Sequence, residues 1–463
     1  MAQRLNLSVE LGKKHQGGDR SSSESQRLKF ILLGCFSGNR ESSDPQLNPL
    51  PDVCKVDLDN FDDLISEMQP CLKIDLSELT EPLQLRFSSL DDFHPDQLHK
   101  QLPTPQESAS AERKEPDQTD TQSDSASNGS QESDQQTLSR LLGDGAATTP
   151  SSNAGKSNAN RTMVESVVGR LIDGSLKQHT AGCSEQETDH SEHHSGLLKN
   201  VIHHSEFQTL ESNWRGLDWL VRNLESDELN EVFIVDLSQD EWQRSTQSEL
   251  EFKQSKYYQS LLKRFSEKQA SEQKFILICD HYFNSSIEDT DLLKNFSELG
   301  TRLDAQLLAA TDGGLLSSVD SDPAALEPWK RFQQSAAATN VSLVLPRILM
   351  RLPYGEQYDP VESFQFEELD DEWCSDELLW GNPAFALAIQ LAADNQSERQ
   401  QDAAALADCP SFAYLKERES HLQPCTESLF TDQQLEILVE LGLVPIVGSR
   451  RSNQVRIPWY RRL

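Results

Sequence analysis

Between Leu102 and Leu138 the chain carries no Val, Ile, Leu, Met, Phe, Tyr or Trp, and is filled with Ser, Gln, Asp, Glu, Thr and Pro. Such a stretch cannot offset its ordering entropy by burial and reads as a disordered linker. A short apolar island, Leu138-Ser139-Arg140-Leu141-Leu142, follows, and a second polar tract runs from Gly143 to Thr162. At about 150 residues per domain, a chain of 463 residues suggests two or three units. The expected organisation is a small α+β unit at 1–102, an acidic Ser/Gln-rich linker at 103–162 with a sticky island at 138–142, and a larger α/β unit at 163–463.

Charge narrows the partners. With 42 basic against 76 acidic residues the formal charge is −34, which repels nucleic acid and anionic membrane. Any basic site must be local. No apolar run approaches the ~18 residues needed to cross a bilayer, and Met1-Ala2-Gln3-Arg4-Leu5 is not followed by a signal-peptide core. A soluble, cytoplasmic protein is expected. The eight cysteines are scattered without a C-x-x-C pair and read as reduced thiols. Cys35, Cys71 and Cys279 sit in or beside apolar runs, where a small thiol packs well.

In the first unit, Leu28-Lys29-Phe30-Ile31-Leu32-Leu33 has the length of a buried strand and Leu83-Gln84-Leu85-Arg86-Phe87 alternates like a half-exposed one. Asn60 can cap a helix that carries Asp62 and Asp63 in its first turn and buries Phe61, Leu64, Ile65 and Met68. Pro95 suits the first position of another. The larger unit opens with a helix at 163–176 and a stronger one over about 198–224, where Phe207, Leu210, Trp214, Leu217, Val221 and Leu224 form one apolar stripe. Strand-like 231–237, a helical run at 248–265, a buried strand at 275–279 and further alternation to Val447 imply layered α/β architecture.

Catalytic and ligand motifs fail on inspection, and no cofactor is implied. Gly155-Lys156-Ser157 would need a glycine where Pro150 stands, and no strand precedes it. Gly34-Cys35-Phe36-Ser37-Gly38 places its serine one position late for a nucleophile elbow. Asp57-Leu58-Asp59-Asn60-Phe61-Asp62 begins like a calcium loop, but Phe61 holds a ligand position and Met68 stands where a bidentate Glu belongs. His190, His193 and His194 fall in a polar connector, and His203 and His204 are adjacent on a helix and face different ways, so a solvated connector and a packed helix explain them better than zinc does. Asp280 and His281 end a buried strand with no partner nucleophile, which favours structure over catalysis. One feature opposes the global charge: Arg450, Arg451, Arg456, Arg461 and Arg462 lie near the end with no acid among them, interleaved with Trp459 and Tyr460. They suit either a solvated tail or a docking strand for an acidic partner or a second copy.

Several strings resemble the contractile sheath of the bacterial type VI secretion apparatus, two of whose subunits occur here in succession. Leu32-Leu33-Gly34-Cys35-Phe36-Ser37-Gly38, Val56-Asp57-Leu58-Asp59-Asn60-Phe61-Asp62-Asp63 and Arg86-Phe87-Ser88-Ser89-Leu90-Asp91-Asp92-Phe93-His94-Pro95 are similar to the small subunit, with Cys35 where that family usually has Asp. The run from Ile202 to Leu217, the run from Leu345 to Gly355, Leu379-Trp380-Gly381-Asn382-Pro383-Ala384-Phe385-Ala386 and Glu440-Leu441-Gly442-Leu443-Val444-Pro445 are similar to the large subunit. Large subunits continue into a further region here replaced by the arginine tail, so the resemblance implies a small–large fusion lacking that region.

The resemblance further implies a non-enzymatic assembly role. Sheath protomers exchange β-strands, surround an inner tube and are recycled by an AAA+ ATPase that grips a large-subunit helix, for which Thr137-Leu138-Ser139-Arg140-Leu141-Leu142 is the nearest equivalent. Expected partners are sheath subunits, the chain itself, the inner-tube protein, the baseplate and that ATPase. Candidate contacts are Leu138, Leu141, Leu142 and the five arginines. Three readings follow: a structural or accessory sheath component, a regulator limiting polymerisation of ordinary subunits, and an enzyme at Asp280 and His281, the weakest of the three.

Overall fold

The computed structural model describes residues 26–38, 53–103, 185–224, 229–237, 248–265, 273–370, 372–396, 405–416, 419–450 and 452–460. The expected linker beyond Pro103, the island at 138–142 and the helix at 163–176 lie outside the described residues. The chain opens with β1 (Arg27–Gly34), β2 (Cys54–Val56), α1 (Phe61–Met68), the antiparallel pair β3 (Cys71–Ile74) and β4 (Leu83–Arg86), and α2 (Pro95–Gln101). After α3 (Glu185–Ile202) and α4 (Ser205–Asn223) come β5 (Asn230–Asp236), α5 (Glu249–Gln254), α6 (Lys256–Phe265), β6 (Gln273–Phe283), α7 (Ile287–Leu303) and β7 (Ala305–Thr311). Next are α8 (Gly314–Ser321), α9 (Glu327–Gln333), β8 (Val341–Leu345), β9 (Ile348–Leu349), β10 (Trp380–Gly381) and α10 (Ala384–Gln396). The hairpin β11 (Phe412–Lys416) and β12 (Glu419–Gln423), α11 (Asp432–Glu440), β13 (Val444–Pro445), β14 (Val447–Ser449) and β15 (Ser452–Arg456) complete it.

Burial of β1 decides the architecture. Leu28 and every residue from Phe30 to Leu33 are 2% exposed or less, so the strand needs neighbours on both edges and cover on both faces. It obtains them far along the chain: β1 pairs in parallel with β5 on one side, Phe30 opposite Val232, and with β6 on the other, Phe30 opposite Ile276. The seven-stranded sheet runs β13-β8-β7-β6-β1-β5-β2, parallel except for β2, which is antiparallel to β5. The elements read in the first hundred residues are present, and β1 lies inside, with β2 at the edge of, a sheet whose other five strands come from residues beyond 229. The described residues before 104 and from 194 onward form one compact unit.

Alternation along β1 sends Phe30 and Leu32 into a core shared with α1, α4 and α10, and Ile31 and Leu33 into a second core under α5, α6 and α7. The α4 stripe is buried as its spacing requires, from Phe207 to Leu224. On the same helix Gly216 allows a close crossing, since a Cβ there would lie 2.4 Å from the Phe385 ring on α10.

Three boundaries differ from the sequence reading for local reasons. The helix expected over 198–224 is two, broken at His203-His204, where His204 Nδ1 accepts the Glu206 N–H at 3.3 Å and starts α4 as its cap. The run at 248–265 breaks at Ser255, whose hydroxyl donates to the Phe252 carbonyl at 2.6 Å. Asn60 stands at the start of α1 without capping it by its side chain: Asn60 Oδ1 accepts the Asp57 N–H and Asp57 Oδ1 accepts the Asn60 N–H. That closed pair accounts for Asp57 of the false calcium loop, and Asp62 falls in the first turn of α1.

Candidate functional site

The densest polar chemistry lies where residues 26–103 meet the rest of the compact unit. At the end of β1 the chain turns through Cys35-Phe36-Ser37-Gly38, and its backbone groups are satisfied by side chains from distant elements. Asp236, closing β5, accepts the N–H groups of Phe36 at 2.8 Å and Ser37 at 3.0 Å. From α4, Asn213 Nδ2 donates to the Cys35 carbonyl at 3.2 Å and Trp214 Nε1 donates to the Phe36 carbonyl at 3.0 Å. The Trp214 ring meets Phe36 and Phe61 edge-on, at 5.5 and 5.8 Å between centroids. Gly38 adopts φ +77° and bridges to Cys71, whose carbonyl would lie 2.2 Å from any Cβ at position 38. Only glycine fits that turn without strain.

A second contact lies around α2. Asp96 accepts the N–H groups of Glu362 at 3.1 Å and Ser363 at 2.9 Å. Burial pushes the Asp96 carboxyl up, but hydrogen bonds from Ser363 and Glu362 outweigh it and hold the group below its ordinary range. Beneath it Phe87 and Phe93 stack at 4.2 Å and both meet Phe207 of α4.

Behind α4 sits a buried ion network. Glu211 accepts from Arg215 Nε at 2.7 Å and Arg351 Nε at 2.9 Å, while Arg351 makes two further bonds, of 2.7 and 2.9 Å, to both oxygens of Glu368. Glu368 also accepts the Tyr354 N–H at 2.7 Å, and the Arg351 guanidinium lies 4.0 Å from the Tyr354 ring centre. Two carboxylates and two guanidiniums balance, with Glu211 and Glu368 fully buried and Arg215 reaching the surface. Burial pushes the Glu211 carboxyl up, but Arg351 and Arg215 overcome it and keep its pKa below the ordinary value. The network fixes the segment after β9 against α4, and so fixes the helix that holds the β1 turn.

Between these contacts lies a cavity of about 240 Å³ with Cys35, Leu72, Ser205, Glu206, Leu210 and Asp280 in its lining. Burial, with Asp236 and Asp280 nearby, pushes the Cys35 thiol up to about 12, so it carries no thiolate at neutral pH. Asp280 falls in a bulge of β6 between Cys279 and Tyr282, where its carboxyl accepts from Asn213 Nδ2 at 2.5 Å. Burial raises its pKa against the donors Asn213 and Asn382. His281 turns to Asp289, 3.3 Å away. These groups hold one another in place around the bulge and place no activated nucleophile in the cavity.

Of the arginines singled out in the sequence, Arg450 is exposed between β14 and β15 and Arg456 is exposed on β15, with Trp459 about half-exposed beyond them. Arg451, Arg461, Arg462, Leu138, Leu141 and Leu142 lie outside the described residues, as do the side chains of His190 and His193. His194 packs against His99, 4.5 Å between ring centres, and His203 lies 3.8 Å from Glu368. Among the described residues no three His, Cys, Asp or Glu side chains are grouped to hold a metal, and no helix is long and apolar enough to cross a membrane. The residues that tie residues 26–103 to the rest, Asp96, Asn213 and Asp236, and those that brace α4 from behind, Glu211, Arg351 and Glu368, were not read as a site from sequence. The available signal was their position: Glu211, Asn213 and Arg351 fall inside the strings that carry the family likeness.

Comparison with known proteins divides the chain in the same place. Residues 191–457, more than half of the chain, match the VipB family, described as EvpB/VC_A0108, tail sheath N-terminal domain. Residues 5–111 match a second family, described as type VI secretion system, VipA, VC_A0107 or Hcp2. A curated relative, the type VI secretion system sheath protein TssC1 of Pseudomonas aeruginosa, is 31% identical over 209 residues. That match covers 41% of this chain and 41% of the relative.

Proposed function

The chain belongs to the VipB family of type VI tail sheath proteins and carries a VipA-like part ahead of it, and on that premise we propose that it works as a fused sheath-type protomer. In this reading one chain supplies both halves of the protomer, and its role in the sheath or baseplate is structural or accessory, exerted through protein–protein assembly without catalysis. The observation that supports it best is β1: a strand from the VipA-like part lies between β5 and β6 of the VipB-like part, with its turn held by Asp236, Asn213 and Trp214. Joining the two in one polypeptide fixes their ratio at one to one and raises their effective concentration to about the millimolar range.

Sheath subunits and further copies of the chain are the proposed partners, in the bacterial cytoplasm. The inner-tube protein, the baseplate and the recycling ATPase come next. Exposed Arg450 and Arg456 give an acidic partner a local electropositive contact on a chain of net charge −34. Negative-stain microscopy and light-scattering mass on the purified chain, alone and with inner-tube protein and ordinary sheath subunits, test the proposal. Tubes or stacked rings from the chain alone, or its incorporation into sheaths, support a protomer. A chain that binds ordinary subunits and stops their polymerisation is a regulator. A chain that binds neither refutes an assembly role.

A further inference from the structure

Two surfaces on opposite sides of the central sheet are complementary in charge, and both carry exposed apolar side chains. From Leu441 to Leu463 the chain has five arginines and no Asp or Glu. The β14–β15 hairpin presents two of them, Arg450 and Arg456, with Trp459 47% exposed just beyond. Neither arginine is in an ion pair among the described residues, although the chain carries a net charge of −34. The hairpin is rooted through buried Val455 and Ile457 in the core that α4 and α10 cover, and Tyr460 donates to Asp394 on α10 at 2.5 Å. On the other side of the sheet a groove of about 570 Å³ runs between the start of α5 and α7, with Glu249, Glu288, Asp291 and Glu298 in its lining. Its floor includes Leu292, which belongs to the second core. Lys253 is shared by Glu249 and Glu298, at 2.6 and 2.9 Å, and Lys294 holds Asp291 at 2.6 Å, so four carboxylates face two ammoniums. Leu250, 65% exposed, and Ile287, 59% exposed, stand among these acids. Apolar side chains left in water beside an excess of negative charge suit a basic, aromatic insert.

We propose that the β14–β15 end of one chain docks in the α5–α7 groove of a second copy, with Arg450 and Arg456 on the groove's carboxylates and Trp459 against Leu250 and Ile287. This rests on the assembly reading above and names the two surfaces that carry it from copy to copy. Because the hairpin and the groove belong to opposite faces of one sheet, a chain does not fill its own groove. The contact is therefore heterologous: each copy offers a hairpin to one neighbour and a groove to the next, so it repeats into a ring or an open stack and does not close as a two-fold pair. Its charges sit at the surface, so salt weakens it.

The test follows the mass of the folded full-length chain by light scattering as its concentration rises, in low salt and in about 1 M salt. The expected result is association in low salt that high salt reverses. Reversing one surface, by Arg450→Glu with Arg456→Glu or by Glu288→Lys with Asp291→Lys, should weaken association about tenfold or more, and a chain carrying all four changes should recover it. Loss of folding cannot imitate that recovery. A photo-cross-linking aromatic in place of Trp459 should capture a peptide from α5 or α7, and mixing isotope-labelled with unlabelled chain should place the two joined peptides on different copies. If the chain associates, or joins sheaths of ordinary subunits, while the charge-reversed chains behave as wild type or the cross-link falls elsewhere or within one copy, this contact is overturned and the assembly reading stands. A chain that stays monomeric in low salt also overturns it, and if that chain binds no ordinary subunit either, the assembly reading falls with it.

Discussion

Replacing Arg351 by Met tests whether the ion network behind α4 holds the compact unit together. Arg351 is 6% exposed and makes three bonds to carboxylates, one to Glu211 and two to Glu368, so its loss leaves a charge-balanced cluster with one net buried negative charge. Met keeps the aliphatic stem and drops the guanidinium, which removes the charge with less loss of packing than Ala would cause. Breaking a buried pair on one side costs about 3–5 kcal/mol, and at about 2 °C per kcal/mol for a large unit this is a drop of roughly 6–10 °C in Tm. Circular dichroism melts at pH 7 and pH 3 give the measurement. In the wild type, Glu211 is held below its ordinary pKa, which contributes stability above the unfolded value of about 4.3 and loses it as pH falls through the folded value. The variant lacks that contribution, so the gap between the two proteins should be widest at pH 7 and narrow toward pH 3. A loss under about 1 kcal/mol at pH 7, or an equal loss at both pH values, refutes the reasoning.

Three further outcomes are expected. Trp214→Ala removes the bond to the Phe36 carbonyl and two ring contacts, and should cost about 3–5 kcal/mol in urea melts; Trp214→Phe should recover part of that. Gly216→Ala places a Cβ 2.4 Å from the Phe385 ring and should cost about 1–3 kcal/mol, read as a lower melting midpoint, while Gly196→Ala, with open space around it, should not lower the midpoint. Co-expressed fragments 1–103 and 185–463 should co-purify, and 185–463 alone should be insoluble, because β5 and β6 each lose the edge that β1 covers. A monodisperse, folded 185–463 fragment would overturn the central place given to β1.

The parts of the fold with local signals were legible in the sequence. The buried positions of α1 and the α4 stripe followed from spacing, and β6 from an apolar run. What was not legible depends on groups that meet only after folding. Nothing local states that Leu28-Lys29-Phe30 will pair with residues some two hundred positions away. Glu211 and Arg351 look like ordinary surface charges until the chain brings them together. The break before α4 escaped because its cap is a histidine, a residue outside the usual Ser, Thr, Asp and Asn set. The arginines were visible as an anomaly of charge, and the structure brings neither Arg450 nor Arg456 to the buried contacts.

The place of β1 also sets a timetable. This strand leaves the ribosome before its two neighbours, which end at Asp236 and Phe283, and at about 5–20 residues per second it spends on the order of 10 to 50 s before both edges can be covered. During that interval the apolar run from Phe30 to Leu33 is an unpaired strand open to capture by another chain. The acidic residues 103–137, free of large apolar side chains and synthesised soon after this strand, add charge and no sticky surface while it waits. When β5 and β6 emerge, the strand that completes them is already tethered beside them, and a neighbouring chain must compete with it to be captured.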